Sequence, residues 1–174
     1  NGSSITVGPF CTGNIFGTTN LNSIIFASGS TYVSQAGSNP FGATQPASVV
    51  VFQTGSLYKV IANLTPSLSG RTYANLEIDF VGAVLNTSGT AATSIDNLTV
   101  TNGTLNFGVT ATPGHSIKGN ITIAAGGVLN FTPASAGTVN LNGTSAQSIS
   151  GAGTLSFGAN STFVVNNASG ITLN

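Results

Sequence analysis

Short apolar–polar–apolar triplets recur through the second half of the chain, and they constrain its fold more than any other feature. They occupy residues 98–100, 105–107, 121–123, 129–131, 139–141, 155–157 and 171–173. Each triplet directs two side chains to one face and one to the other, as a strand buried on one face requires. Short glycine-rich segments between the triplets favour tight turns. The second half is therefore predicted to consist of short strands and turns.

The triplets belong to a longer repeat. Units of 22, 22 and 24 residues occupy 94–115, 116–137 and 138–161, and a partial unit occupies 162–174. This period matches one coil of a β-helix, whereas propeller blades need about 40 residues and leucine-rich repeats need a Leu and Asn scaffold that is absent. Abundant Ser, Thr, Asn and Gly disfavour helices. We expect an all-β parallel β-helix (β-solenoid) with coils of about 22–24 residues and essentially no α-helix.

Equivalent residues of successive coils should stack on one another, because each strand pairs in parallel with the coil above it. Phe107, Phe131 and Phe157 occupy equivalent positions, and we predict that they form one ladder in the core. Asp96 and Lys118 both hold the third position of their units. They are expected on adjacent coils, where they could form an exposed ion pair.

Residues 1–93 are less regular, although they carry the same strand and turn signals. Longer loops are predicted at 35–48 and 63–71, and residues 76–80 alternate cleanly between apolar and acidic side chains. We interpret this half as wider solenoid coils that continue into 94–174 as one domain. A separate N-terminal β-domain is the alternative.

Several segments resemble the repeats of large secreted β-helix proteins of Bacteroidetes-type bacteria. These segments are 26–42, 50–59, 67–80 and 148–174. The resemblance implies export, often by the type IX route, and a role at the cell surface as an adhesin-like or stalk protein. Such proteins usually carry a C-terminal sorting domain, which is not visible here. The resemblance supplies no catalytic residues.

Charge excludes some functions and weakens others. Only 3% of residues are charged, with three Lys+Arg and three Asp+Glu, so the chain lacks the basic face that a nucleic-acid binder needs. Its apolar runs are far shorter than the roughly 18 residues of a membrane-spanning helix.

Glu77 and Asp79 lie two apart on one strand, with Arg71 nearby to neutralise them. We interpret these side chains as a solvated face, with a hydrolase or metal site as the weaker alternative.

Two single residues have a chemistry of their own. His115 follows a Pro-Gly pair and is expected to lie in a surface turn. Cys11 has no internal partner for a disulfide, so it is expected to be a small buried side chain, with an intermolecular bridge as the alternative. No metal-ligand spacing or nucleotide-binding motif is present. The sequence therefore predicts no enzyme activity and no cofactor.

Two features of the sequence bear on carbohydrate. Tyr32, Tyr58 and Tyr73 lie in the first half and could form an exposed sugar-binding platform; the alternative is amphipathic rings on solenoid faces. Ten Asn-x-Ser/Thr sequons occur, and we interpret them as products of alternating Asn and Thr on strand faces, with glycosylation left open. Examples are Asn63, Asn97, Asn102, Asn120 and Asn142.

The last strand pattern, which includes Ile171 and Leu173, is a candidate assembly edge. An uncapped coil exposes unpaired backbone groups and apolar interior, which invites strand addition. The sequence thus predicts a non-enzymatic, secreted structural protein at the bacterial surface, either a filament subunit or a stalk or adhesin segment. Its expected partners are copies of itself or further coils of a longer chain, and surface glycans in the alternative function of a carbohydrate-binding adhesin module. An ice-binding face is disfavoured because only 99–101 fits a Thr-x-Thr column.

Overall fold

A computed structural model describes residues 2–35, 37–110 and 114–174. Within these ranges the chain forms strands and turns without any helix, which confirms the all-β prediction. The strands are β1 (Ser4–Val7), β2 (Ile24–Phe26), β3 (Thr31–Ser34), β4 (Val50–Phe52), β5 (Leu57–Val60), β6 (Thr72–Asn86), β7 (Ser94–Phe107), β8 (His115–Ile117), β9 (Ile121–Phe131), β10 (Gly137–Leu141), β11 (Gln147–Ser150), β12 (Thr154–Phe157), β13 (Ser161–Val165) and β14 (Ile171–Leu173).

The described strands pair in parallel, and together they build the predicted β-solenoid of about seven turns. Three stacked columns of strands run along it. Column 1 contains β1, β3, β5, the middle of β6, the first parts of β7 and β9, β11 and β14. Column 2 contains the ends of β6, β7 and β9, followed by β12. Column 3 contains the starts of β6 and β7, then β8, β10 and β13.

The two halves of the chain share one sheet. Column 1 runs from β1 through β5 and β6 into β7 without interruption. β2 and β4 pair separately with each other, and Phe52 of β4 stacks on Tyr73 of β6 with ring centroids 6.0 Å apart. The first half is therefore built of coils of the same solenoid.

The pairing fixes the register of the repeat. Ser94 lies opposite Ser116, as the first two predicted units require. Ser116 in turn lies opposite Asn140 rather than Thr138, so the third coil begins two residues later than the sequence pattern suggested. Thr138 extends β10 past the first residue of β8 and pairs with Thr162 on the other side.

Aliphatic side chains form the innermost part of column 1. Leu76, Leu98 and Ile121 lie directly above one another and are fully buried. Between columns 1 and 2 the chain turns sharply at Gly103, where φ is +86° and an added Cβ would lie 2.6 Å from the Phe80 carbonyl oxygen. Because only glycine fits this turn, it allows the neighbouring strands to stack closely.

The predicted phenylalanine ladder forms in column 2. The ring of Phe131 lies 5.5 Å from Phe107 and 5.6 Å from Phe157, measured between centroids. Phe107 and Phe131 are buried, whereas Phe157 is 49% exposed because it lies at the end of the described coils. The ladder therefore has an uncovered last ring.

Asparagine side chains form a second kind of ladder beside the phenylalanines. Asn106 Nδ2 donates to Asn86 Oδ1 at 2.7 Å, and Asn130 Nδ2 donates to Asn106 Oδ1 at 2.8 Å. The Ser156 hydroxyl continues the series by donating to Asn130 Oδ1. Each amide thus satisfies the next, so the polar edge of the column needs no charge.

We predict that the position of a ring in this ladder determines its contribution to stability. Phe131→Ala should lower the free energy of unfolding by about 3–5 kcal/mol, because it leaves a cavity between two coils. Phe157→Ala should cost roughly 1–2 kcal/mol, because that ring is half exposed already. Urea unfolding followed by circular dichroism measures both. Equal losses for the two variants would contradict the ladder as the source of stability.

Candidate functional site

The two paired carboxylates lie on the outer face of column 1, as the alternating pattern predicted. Lys59 Nζ lies 2.9 Å from Glu77 Oε1 and 2.7 Å from Asp79 Oδ2. Thr101 Oγ1 also donates to Glu77, and Asn102 Nδ2 donates to Asp79. These contacts define a small charged cluster in which both acids already accept hydrogen bonds from neighbouring coils.

The pKa values of Asp79 and Lys59 both shift toward the charged forms. The hydrogen bond from Lys59, followed by that from Asn102, lowers the pKa of Asp79. Burial alone would lower the pKa of Lys59, but its hydrogen bonds to Asp79 and Glu77 raise the pKa overall. The cluster thus favours a stable ion pair over a carboxyl group poised to exchange a proton.

The cation that pairs with these acids was predicted incorrectly. Arg71, expected to neutralise them, is buried and makes no ion pair with either acid. Its guanidinium donates to the carbonyl oxygens of Ala47 and Ala43 and lies 4.5 Å over the Phe41 ring. Lys59 reaches the acids instead because it lies directly opposite Glu77 in the β5–β6 pairing.

The tyrosine platform is also wrong. Tyr32, Tyr58 and Tyr73 are all buried, and they pack in an aromatic core in which Tyr32 stacks on Tyr58 at 5.0 Å. Their hydroxyls find partners inside: Tyr32 Oη is 2.8 Å from Ser38 Oγ, and Tyr73 Oη donates to the Ser67 carbonyl oxygen. These rings cannot reach a glycan, so the carbohydrate-binding alternative loses the residues on which it depended.

His115 is a core residue and not the expected surface turn. It begins β8, it is buried, and its ring lies 5.0 Å from Phe107. The Thr93 backbone N–H donates to Nδ1 at 3.1 Å, so Nε2 carries the proton and donates to the Val109 carbonyl oxygen at 2.8 Å. Burial lowers the pKa of His115, an effect that the bond to Val109 partly opposes.

Two further expectations fail. Cys11 is exposed, because it lies in the loop after β1 and not in a strand. Asp96 and Lys118 lie on adjacent coils as predicted, yet the ion pairs within 4.0 Å among the described residues all involve Lys59. Asp96 instead accepts a hydrogen bond from Thr54 Oγ1 at 3.4 Å.

Several sequon asparagines act as scaffold side chains. Asn97 Nδ2 donates to Asn75 Oδ1, and the Asn120 backbone N–H donates to Asn97 Oδ1, both at 2.8 Å. Asn102 donates to Asp79, and Asn142 accepts from the Ser116 hydroxyl. Asn63 is exposed in the loop after β5. The amides of Asn97 and Asn102 are therefore engaged between coils.

The C-terminal coil end presents an apolar opening on the regular half of the described solenoid. A pocket of about 350 Å³ lies there, and every residue that lines it is apolar. Leu173 and Val165 are largely exposed. One coil earlier, Leu141 at the position of Val165 is buried, and Ile149 at the position of Leu173 is partly buried. The pocket is lined by Leu141, Ile149, Leu155, Phe157, Phe163, Val165, Ile171 and Leu173. The two residues predicted as an assembly edge, Ile171 and Leu173, thus belong to one uncovered core surface, which we call the open coil end.

Other kinds of site receive less support. Within residues 2–35, 37–110 and 114–174, no three His, Cys, Asp or Glu side chains are grouped so that they could hold a metal ion. No helix suited to spanning a membrane occurs in those ranges. Comparisons with known protein families, with curated proteins and with solved structures found no match to this chain. The class of the protein is therefore defined by its fold, a parallel β-solenoid.

We predict that His115 makes stability depend on pH between about 7 and 5. The folded state holds the ring neutral and lowers its pKa, while the unfolded chain titrates near 6.5. Stability should therefore be full above pH 6.5 and fall as the pH drops toward the folded pKa, by at most about 1.4 kcal/mol per pH unit. Urea unfolding at a series of pH values measures this slope.

The variant His115→Gln is the control for that slope. His115 is the single histidine of the chain, and the lowered pKa of Asp79 affects stability only below its ordinary value of 3.8. The variant should show no slope between pH 7 and 5, whatever its absolute stability. An unchanged slope would contradict the assignment to His115.

Proposed function

We propose that the protein is a non-enzymatic structural β-solenoid, a stiff rod that is extended by parallel strand addition at its open coil end. The observation that carries this proposal is the uncovered apolar surface of the last coil, where eight core side chains line one pocket. An uncovered apolar coil surface with unpaired strand edges is a template for a further coil, supplied by a second copy or by more of the same chain.

The construction of the coils supports a mechanical role. From β6 to β9, neighbouring coils are tied together by parallel backbone hydrogen bonds in three columns, by stacked side chains inside and by amide ladders outside. No disulfide links the described residues, in which Cys11 is free. Such repeated nearest-neighbour contacts stiffen a rod along its axis without a cofactor.

The two ends of column 1 are suited to each other. Ile5 of β1 lies in the same interior row as Leu173 of β14, since the register connects them through every intervening coil. Ile5 is 45% exposed and Leu173 is 75% exposed. Head-to-tail stacking would place β1 of a second copy parallel to β14 and cover both side chains. A contact of this kind does not close on itself, so it would propagate into a filament.

The resemblance of segments such as 148–174 to secreted β-helix proteins supports a location at or beyond the bacterial surface, as a filament subunit, stalk or adhesin segment. The arrangement of its few cations is also suited to a protease-rich exterior. Of the three Lys and Arg residues, Arg71 is buried, Lys59 is in an ion pair and Lys118 is exposed. Trypsin-like enzymes thus have little access to the folded chain.

Assembly is tested by placing a charge at the open coil end. The wild-type chain should form rods longer than one molecule at increasing concentration, seen by sedimentation velocity and negative-stain electron microscopy. Leu173→Asp should keep the chain monomeric, because the carboxylate would be buried without a partner in the contact. The fold should persist, since Leu173 is largely exposed in the single chain.

Val81→Asp is the matched control. Val81 is 78% exposed, and it lies in a bulge of β6 on the side of the solenoid, where residues 80–83 interrupt the pairing with β7. This variant should assemble like the wild type. A wild-type chain that stays monomeric at high concentration, or equal assembly of Leu173→Asp and Val81→Asp, would overturn the proposal.

A further inference from the structure

A second cavity lies in the first half of the solenoid, far along the chain from the open coil end. It is a groove of about 460 Å³ beside the loop that precedes β4. Its walls are mainly apolar, with Leu21, Val51 and Phe52 among them, and Arg71 provides the one charged side chain in its lining. An apolar groove with a few polar groups is the usual form of a small-molecule site.

Arg71 is placed unusually for a cation. The residue is only 4% exposed. Nη1 donates to the Ala47 carbonyl oxygen at 2.5 Å and Nη2 donates to the Ala43 carbonyl oxygen at 2.7 Å, while Nε is buried without any hydrogen-bond partner. An arginine has five N–H groups, so the loop satisfies only part of its donor capacity.

No carboxylate of the described residues compensates this charge. The ion pairs within 4.0 Å there belong to Lys59. Burial without a counter-charge is costly, and it lowers the pKa of Arg71. The face of Phe41, 4.5 Å from the guanidinium carbon, offsets some of this cost through a cation–π contact. A ligand that brought one negative charge would complete the site.

We propose that this groove binds a small organic carboxylate with an apolar body, whose carboxylate group pairs with Arg71. The apolar body would lie against Val51, Leu21 and Phe52. A carboxylate fits better than a phosphate, because a dianion needs more positive charge and the groove lining contains no second Lys or Arg. This proposal goes beyond the structural role and does not depend on it, since none of the groove residues lines the open coil end.

The test uses phenylacetate and its neutral isostere phenylacetamide. Isothermal titration calorimetry and ligand-observed saturation-transfer NMR on the full chain do not require the chain to be monomeric. Phenylacetate should bind saturably, and phenylacetamide should bind at least tenfold more weakly, because it lacks the charge that pairs with Arg71. Equal binding of the two, or binding of neither, would overturn the proposal.

A variant pair keeps the test independent of the structural bonds that Arg71 makes. Leu21 lines the groove and is 51% exposed, so its replacement should leave the fold intact. Leu21→Glu supplies a carboxylate from the chain itself and should abolish phenylacetate binding. Leu21→Gln has the same shape without the charge, so it should weaken binding only through the lost apolar contact and bind phenylacetate at least tenfold more tightly than Leu21→Glu. Equal affinity of the two variants would contradict a site built around Arg71.

Discussion

The whole structure depends on in-register parallel stacking of like residues from one coil to the next. A single coil of this chain cannot bury its own apolar side chains, because it is only one strand thick along the axis of the solenoid. Neighbouring coils must cover them. When Leu98 lies above Leu76 and below Ile121, each coil covers the next, and the same register aligns the backbone hydrogen bonds. Packing and hydrogen bonding thus impose one common register, and a slip by one residue would turn core side chains outward.

The same stacking explains how a chain with so little charge satisfies its polar groups. An amide side chain both donates and accepts, so a row of asparagines such as Asn86, Asn106 and Asn130 can bond along the axis without leaving a group unpaired. The buried amide of Gln147 likewise both donates and accepts hydrogen bonds. Its Nε2 donates to the carbonyl oxygens of Ile117 and Gly119, and its Oε1 accepts from the backbone N–H of Gly143. Neutral amides thereby satisfy polar groups across coils without an ion pair.

Periodicity predicted the fold and the Phe107–Phe131–Phe157 ladder, because strand parity and coil length together place a residue inside or outside. It did not place His115, the tyrosines or the cation that pairs with the two acids. Pro-Gly before His115 suggested an exposed turn, yet β8 begins at His115 itself and directs the ring inward. Tyr32 and Tyr58 alternate in phase with buried residues of their own strands. The sequence contains this signal, but tyrosine is an amphipathic residue, and that property favoured exposed rings. The partner of Glu77 and Asp79 depended on cross-coil register, and sequence proximity pointed to Arg71 instead.

Arg71 shows how the solenoid accommodates an irregular coil. Residues 41–49, which precede β4, lie outside the strand columns, and several of their carbonyl groups take donors from outside a strand ladder. The guanidinium reaches two of them, Ala43 and Ala47, and stacks on Phe41 of the same loop. The long Arg71 side chain therefore supplies hydrogen-bond donors that a neighbouring strand would otherwise supply. A neutral side chain of that reach could have done this, as Gln147 does elsewhere. Arg71 instead brings a charge, and its buried Nε has no hydrogen-bond partner beside the groove that the residue lines.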